Sequence, residues 1–248
     1  MKDKHSHSRL IVEKVSHGFG AVSVLADLNL VVRLDEVVVL VGPSGCGKTT
    51  LLNLLSGHIE PASGSIQREG IIRSVYQQDG LFPWLTVSEN ISIGLRSIAD
   101  MKQRKHELLE LLQLIHMEDF ANHYPHQLSG GMRQRVELAR VLAGDSDILL
   151  MDEPFSALDY QARHRMRREL NRLLEKRPRT VVFVTHDIEE AAQLADRVLV
   201  LSKRPATICR ELKISARRPR DLTDPAVIEA MAEILKELGL NTSDGIDT

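Results

Sequence analysis

Cysteine is scarce: 248 residues contain two, Cys46 and Cys209. Two cysteines make no disulfide framework, and neither belongs to a paired zinc-ligand spacing, so a reducing setting fits. No apolar run approaches the roughly 18–20 residues that a membrane span needs, so any action at a membrane requires another chain to cross it. Residues 1–9 are polar and lack the apolar stretch of a signal peptide. His5 and His7 there read better as part of a frayed polar terminus than as metal ligands. A cationic excess is also missing. The net charge is −2, which argues against nucleic-acid binding by phosphate neutralisation. There is no internal repeat and no low-complexity segment. What remains is an ordinary globular composition, 43% hydrophobic and 27% charged, long enough for one large core or two modest ones.

Four short apolar runs, at 37–41, 148–151, 181–184 and 198–201, are unbroken and rich in β-branched residues. Such runs suit strands covered on both faces, the habit of parallel sheets. Residues 88–124 differ, with Leu108, Leu111, Leu112 and Ile115 at helical spacing. The pattern predicts an α/β core, a single domain over 1–240, with a helical subdomain inserted at about 88–143 and a polar tail over 241–248. A last helix is expected after Asp224 as cap and Pro225 at its first position, ending by Gly239. Ile228, Met231, Ile234, Leu235 and Leu238 form its apolar stripe.

The chemistry begins at Gly42-Pro43-Ser44-Gly45-Cys46-Gly47-Lys48-Thr49. This is a complete phosphate-loop pattern between a strand at 37–41 and a helix expected over 50–56. Its glycines let backbone N–H groups turn toward phosphate oxygens, and the helix N-terminus adds a favourable dipole. Lys48 supplies a charge for the β- and γ-phosphates, Thr49 a hydroxyl for Mg²⁺, and Thr50 closes the cradle. A second strand ends in Asp152 and Glu153. Asp152 is placed to hold Mg²⁺. Glu153, sent to the other side by strand alternation, is free to orient and deprotonate water. No Asn-Lys-x-Asp motif occurs, which argues against a GTPase. A third segment, Leu128-Ser129-Gly130-Gly131-Met132, leads into a helical stretch and so offers a second anion-facing helix N-terminus.

This last segment resembles the signature of the ABC ATPase family. The resemblance implies a P-loop NTPase core with a mostly parallel sheet, an antiparallel β subdomain and an inserted helical subdomain. It implies ATP and Mg²⁺ as ligands, and a head-to-tail dimer in which one chain's phosphate loop and the other's Ser129, Gly130 and Gly131 share each ATP. By position, Phe19 is the aromatic that stacks on adenine, although a core residue is its plain alternative. Gln77, in preference to its neighbour Gln78, is the glutamine that senses Mg²⁺ and the attacking water. Ser156-Ala157-Leu158-Asp159 is the loop that communicates across the dimer, and His186 contacts the γ-phosphate. Asp35 stands where the family often has glycine, in a turn that Asp tolerates. The stretch between Gly64 and Gln77 is short and suggests a trimmed hairpin near the adenine side.

Finer features, 81–87 (Leu-Phe-Pro-Trp-Leu-Thr-Val), 202–205 (Ser-Lys-Arg-Pro) and 219–221 (Pro-Arg-Asp), resemble the nitrate, sulfonate and taurine importer branch. That implies a peripheral ATPase at the cytoplasmic face of the membrane, partnered by permease subunits and a substrate-binding protein, with no nucleic acid. Leu81, Phe82 and Trp84 cluster in one loop, read either as a partner-docking site or as packing against the chain's own helical insertion. The basic stretch 163–179 reads as a solvated helix face. A soluble ABC ATPase acting on another partner is the alternative, and a non-catalytic regulatory subunit a second. The intact Glu153 and His186 weigh against the latter.

Overall fold

The computed structural model describes residues 8–75 and 80–239. The expected Gln77 and the tail over 241–248 lie outside them. Two sheets organise the chain. The smaller is antiparallel, ordered β2 (Val22–Arg33), β1 (Ser8–Phe19), β4 (Ser63–Arg68). The larger is ordered β5 (Ile72–Val75), β6 (Ile148–Asp152), β7 (Thr180–Val184), β3 (Val37–Val41), β8 (Arg197–Leu201), β9 (Ile208–Lys213), and all its pairings are parallel except that of β8 with β9. The four apolar runs are therefore its four central strands. β5 and β4 fall in different sheets, so the short stretch after Gly64 is a crossing between sheets and no hairpin.

Strand alternation divides the parallel sheet between two cores. Val37, Val39, Leu149, Met151, Val181 and Phe183 face one, while Val38, Leu40, Leu150, Val182 and Val184 face the other. The second core also takes Leu10, Val12, Val24 and Leu28 from the small sheet, and Leu51, Leu54 and Leu55 from α1 (Lys48–Ser56). Each such side chain stabilises the fold by about 1.5–3 kcal/mol on burial. In β1 and β2 the alternation breaks at register shifts, near which Lys14 and Asp27 take left-handed φ of 49° and 46°.

The inserted segment forms α2 (Val87–Gly94), α3 (Met101–Leu114) and α4 (Gly130–Ala143). Leu111, Leu112 and Ile115 are buried, as the spacing predicts, and Leu108 packs partly against them. α5 (Tyr160–Lys176), α6 (Ile188–Leu194) and α7 (Pro225–Glu237) complete the chain. Arg177, just past α5, reaches Glu107 of α3 with both ends of its fork, at 2.8 and 2.7 Å.

The α7 stripe holds at Met231, Ile234 and Leu238, which are buried or pack against the core, and shifts at its start. Val227, Ala230 and Ile234 are buried, and Ile228 is 54% exposed, because α7 lies against α6 along the i, i+3, i+7 line through Val227. Asp224 occupies the N-cap position, but its carboxylate accepts from Asp221 N at 2.9 Å and makes no bond to the helix. No helix among the described residues is long and apolar enough to cross a membrane.

Candidate functional site

β3, β6, β7 and β8 run parallel, so the loops that follow them emerge together at one edge of the sheet, where open α/β folds bind ligands. After β3 comes the phosphate loop. Gly45 and Gly47 take φ of 71° and 123°, conformations that favour glycine. A side chain on Gly47 would begin 2.8 Å from Val24 Cγ1, so the loop also needs glycine there for close packing on β2. The helix that follows starts at Lys48, two residues earlier than the sequence pattern suggests, with Gly47 as its N-cap and no side-chain cap bond. Its first-turn N–H groups are thus left to a ligand, the arrangement expected of an anion site. The buried Lys48 stretches its ammonium across the loop and donates to Gly42 O at 2.8 Å and Pro43 O at 3.0 Å.

β6 delivers the two acids. Asp152 is buried at the strand's end. Burial pushes its carboxyl above the usual carboxylate range, opposed by the hydrogen bond with the Thr49 side chain; the Glu153 charge raises it further and the Lys48 charge lowers it. A hydroxyl and a carboxyl already paired are hard oxygen donors, and they fit Mg²⁺. Glu153 lies beyond the strand, and its direction is set by a left-handed φ of 47° rather than by strand alternation. Its N–H donates to Val184 O at 2.9 Å, tying it to β7. β7 ends at Val184, and His186 follows two residues later. His186 Nδ1 stands 3.2 Å from Glu153 Oε1. The two line one open cleft with Lys48, Thr49 and Thr50, and Ser44 and Gly45 form its rim. Cys46 is buried beneath the loop, its Sγ against Gly42.

The remaining expected residues fall elsewhere. Phe19 is 56% exposed at the end of β1, with His17 edge-on at 4.9 Å, so it is no core residue. Ser129 caps α4, accepting from Met132 N at 3.3 Å, and Gly130 and Gly131 form that helix's first turn. These three do not line the phosphate-loop cleft of their own chain. Gly131 packs on the 156–159 loop instead: a side chain there would begin 3.0 Å from Ala157 O. The apolar loop divides. Leu81 is buried, while Phe82 and Trp84 are 38% and 69% exposed. Asn90, fully buried, holds their backbone by donating to Phe82 O, Leu85 O and Thr86 O and accepting from Phe82 N.

Sequence reasoning misses Gln134. This buried side chain of α4 donates to Glu153 O at 3.2 Å and Ser156 Oγ at 3.3 Å, and accepts from Ala157 N at 2.9 Å. It ties the signature helix to the backbone of Glu153. Its only sequence signal is a polar residue inside the buried face of a helix.

Comparison with known proteins gives the same picture. Residues 25–156 match the family model described as ABC transporter. The chain is 43% identical over 221 residues to the aliphatic sulfonates import ATP-binding protein SsuB 2 of Pseudomonas syringae pv. tomato, covering 89% of this chain and 94% of that one. It is 44% identical over 211 residues to the sulfate/thiosulfate import ATP-binding protein CysA of Pseudomonas aeruginosa, covering 77% and 63%. Among solved structures, the dimeric post-hydrolysis state of the ATP-binding cassette MJ0796, bound to ADP and Pi, aligns with a TM-score of 0.74 at 33% identity over 84% of this chain and all of that one. A phosphate loop alone is shared by many nucleotide-binding proteins, but this loop joined to a second capped helix N-terminus, and matched across most of its length, makes the chain a member of the ABC transporter family.

Proposed function

We propose that this chain is the ATP-binding and ATP-hydrolysing subunit of an importer for a small anion of the sulfonate, taurine or nitrate kind. The observation that carries the reading is the contact of Glu153 with His186 beside the phosphate loop. In this assignment the loop N–H groups from Gly42 to Thr50 and the Lys48 ammonium bind the phosphates, and Phe19 offers its exposed ring to adenine. Thr49, Asp152 and Gln77 would hold Mg²⁺, which neutralises phosphate charge when bound. Glu153 accepts a proton from the attacking water. His186, oriented by Glu153 through Nδ1, offers its other nitrogen to the γ-phosphate. Ser129, Gly130 and Gly131 serve a second copy's nucleotide, which accounts for their distance from the chain's own cleft. The outward Phe82 and Trp84 suit docking to a permease subunit, aromatic residues being favoured interface anchors. The whole would sit at the cytoplasmic face of a membrane, with a substrate-binding protein delivering the cargo. The sulfonate and sulfate importers among the relatives support the anion class.

Glu153→Gln tests the assignment. Turnover of the purified chain should fall by about 10²–10⁴-fold, the usual contribution of a positioned general base, while ATP binding persists. Gel filtration with ATP and Mg²⁺ should show a dimer trapped by the neutral amide. A variant that turns over near the wild-type rate overturns the role of Glu153.

A further inference from the structure

The segment 202–205 has no chemical role in the site described above, and the fold brings it to the phosphate loop. β8 pairs in parallel with β3, Val200 opposite Val41. The chain leaving β3 becomes the phosphate loop, and the chain leaving β8 becomes a turn over 202–207 at its side. Contact is close: a side chain on Gly42 would begin 2.9 Å from Leu201 O. The turn is closed by Ser202 N donating to Thr207 O and Thr207 N donating to Ser202 Oγ, both at 3.0 Å. It is also pinned to the small sheet. Ala206 N donates to Val24 O at 2.8 Å, and Ala206 O accepts from Ala26 N at 3.1 Å. Both sheets therefore hold this turn beside the phosphate loop.

Two exposed cations stand on it, Lys203 and Arg204. Arg204 Nη2 lies 3.8 Å from where a side chain on Gly45 would begin, and its guanidinium shares the cleft with Lys48, Thr49, Glu153 and His186. Lys203 lines the adjoining recess beside Ser44. Neither side chain makes a hydrogen bond or ion pair among the described residues. Arg204 and Lys48 line the same cleft, so an anion bound there meets both cations. A guanidinium is the side chain suited to forked hydrogen bonding of phosphate. The cleft it faces contains Glu153 and His186, the hydrolytic end of the site, whereas Phe19 marks the base end.

We propose that Arg204 is a nucleotide-contacting residue that binds the terminal phosphate of a nucleoside triphosphate and so favours triphosphate over diphosphate, with Lys203 adding charge at its side. This rests on the phosphate loop being the ATP site. Isothermal titration of the full chain in Mg²⁺ buffer, with an imido analogue of ATP and with ADP, tests it. Arg204→Ala should weaken the analogue by about 10- to 100-fold, the worth of a charge-assisted hydrogen bond, and ADP by less than about threefold. Arg204→Lys should recover part of the loss, since a point charge lacks the fork. Because Arg204 is exposed, circular dichroism and melting temperature should match wild type. Affinity for the analogue within about twofold of wild type overturns the proposal, and so does an equal loss for both nucleotides, which would put the contact on an inner phosphate. Lys48→Ala keeps the two readings apart: if it too leaves both affinities intact, the phosphate-loop assignment fails and not only Arg204.

Discussion

Four residues past His186, Glu190 is buried among charges. Burial pushes its carboxyl up to about 7; the Thr185 hydroxyl, 2.6 Å away, opposes this, Asp187 adds to it, and Arg167 and Arg163 oppose it. The folded-state value lies above the ordinary 4.5, so the folded chain holds this proton more tightly than the unfolded chain does. The resulting stability is full below about pH 4.5 and is lost as pH rises through about 7. Glu190→Gln keeps the shape and removes the titration. Its melting temperature relative to wild type should therefore rise between pH 5.5 and pH 8, as read by calorimetry. A difference that stays constant across that range shows Glu190 to be ionised throughout. Residue identity at the site is well marked in the sequence, because glycines, a lysine and paired acids at set spacing have few other uses. The direction of Glu153 is not, since it depends on one left-handed backbone angle that glutamate rarely adopts. The turn at Asp35, with φ of 58°, is the contrary case: aspartate tolerates that conformation, and the sequence shows it.

At the scale of elements, the central strands are legible because burial on both faces leaves unbroken β-branched runs. β1 and β2 are not, because bulges interrupt their alternation and mix exposed Glu13 and Lys14 into the buried series. The crossing from β4 to β5 is equally hidden, since sheet membership is decided by long-range pairing with β1 and β6. Helix starts are mixed: Thr86 with Glu89, Asp100 and Asp159 cap the helices that follow, residue types suited to that place, whereas the expected cap Asp224 makes no bond to its helix and α1 begins at Lys48, ahead of the pattern. What no local pattern discloses is that Gln134 ties α4 to the backbone of Glu153 and to the 156–159 loop. That linkage gives a prediction. Gln134→Ala removes the acceptor for Ala157 N and the donors to Glu153 O and Ser156 Oγ, at a cost of about 1–3 kcal/mol for groups left unpaired. The phosphate loop is untouched. ATP affinity should hold within about twofold while kcat drops by about tenfold. Urea melts, titration and steady-state kinetics separate the three effects; a raised Kd with normal kcat would mean that α4 supports binding and not Glu153.

For the whole molecule, the decisive fact is a separation. The chain carries one phosphate loop and one capped signature helix, and Ser129, Gly130 and Gly131 take no part in lining the cleft around Lys48. In the function proposed above, a second copy turned head to tail uses this helix N-terminus, which does not line the cleft of its own chain, each signature covering the other's phosphate loop. Two copies then make two composite sites, and this arithmetic can be tested by mixing. In a Lys48→Ala homodimer both sites lack the lysine. In a Ser129→Arg homodimer both meet bulk and charge where the facing phosphate belongs. A mixed dimer differs: the Ser129→Arg chain brings an intact phosphate loop, the Lys48→Ala chain an intact signature, and these two halves form one complete site while the other site is doubly broken. Each variant alone should be inactive and the mixture should regain ATPase, highest near equal amounts, where about half of randomly paired dimers are mixed. Ser129→Arg removes the cap bond from Met132 N, and Lys48→Ala removes the two bonds to Gly42 O and Pro43 O, so each variant should melt somewhat below wild type, by about 1 kcal/mol for the cap, while both still elute like wild type. Activity in the Ser129→Arg chain alone would show that the signature does not complete the site, and failure of the mixture at every ratio, with exchange of subunits verified, would show that one composite site cannot work without the other.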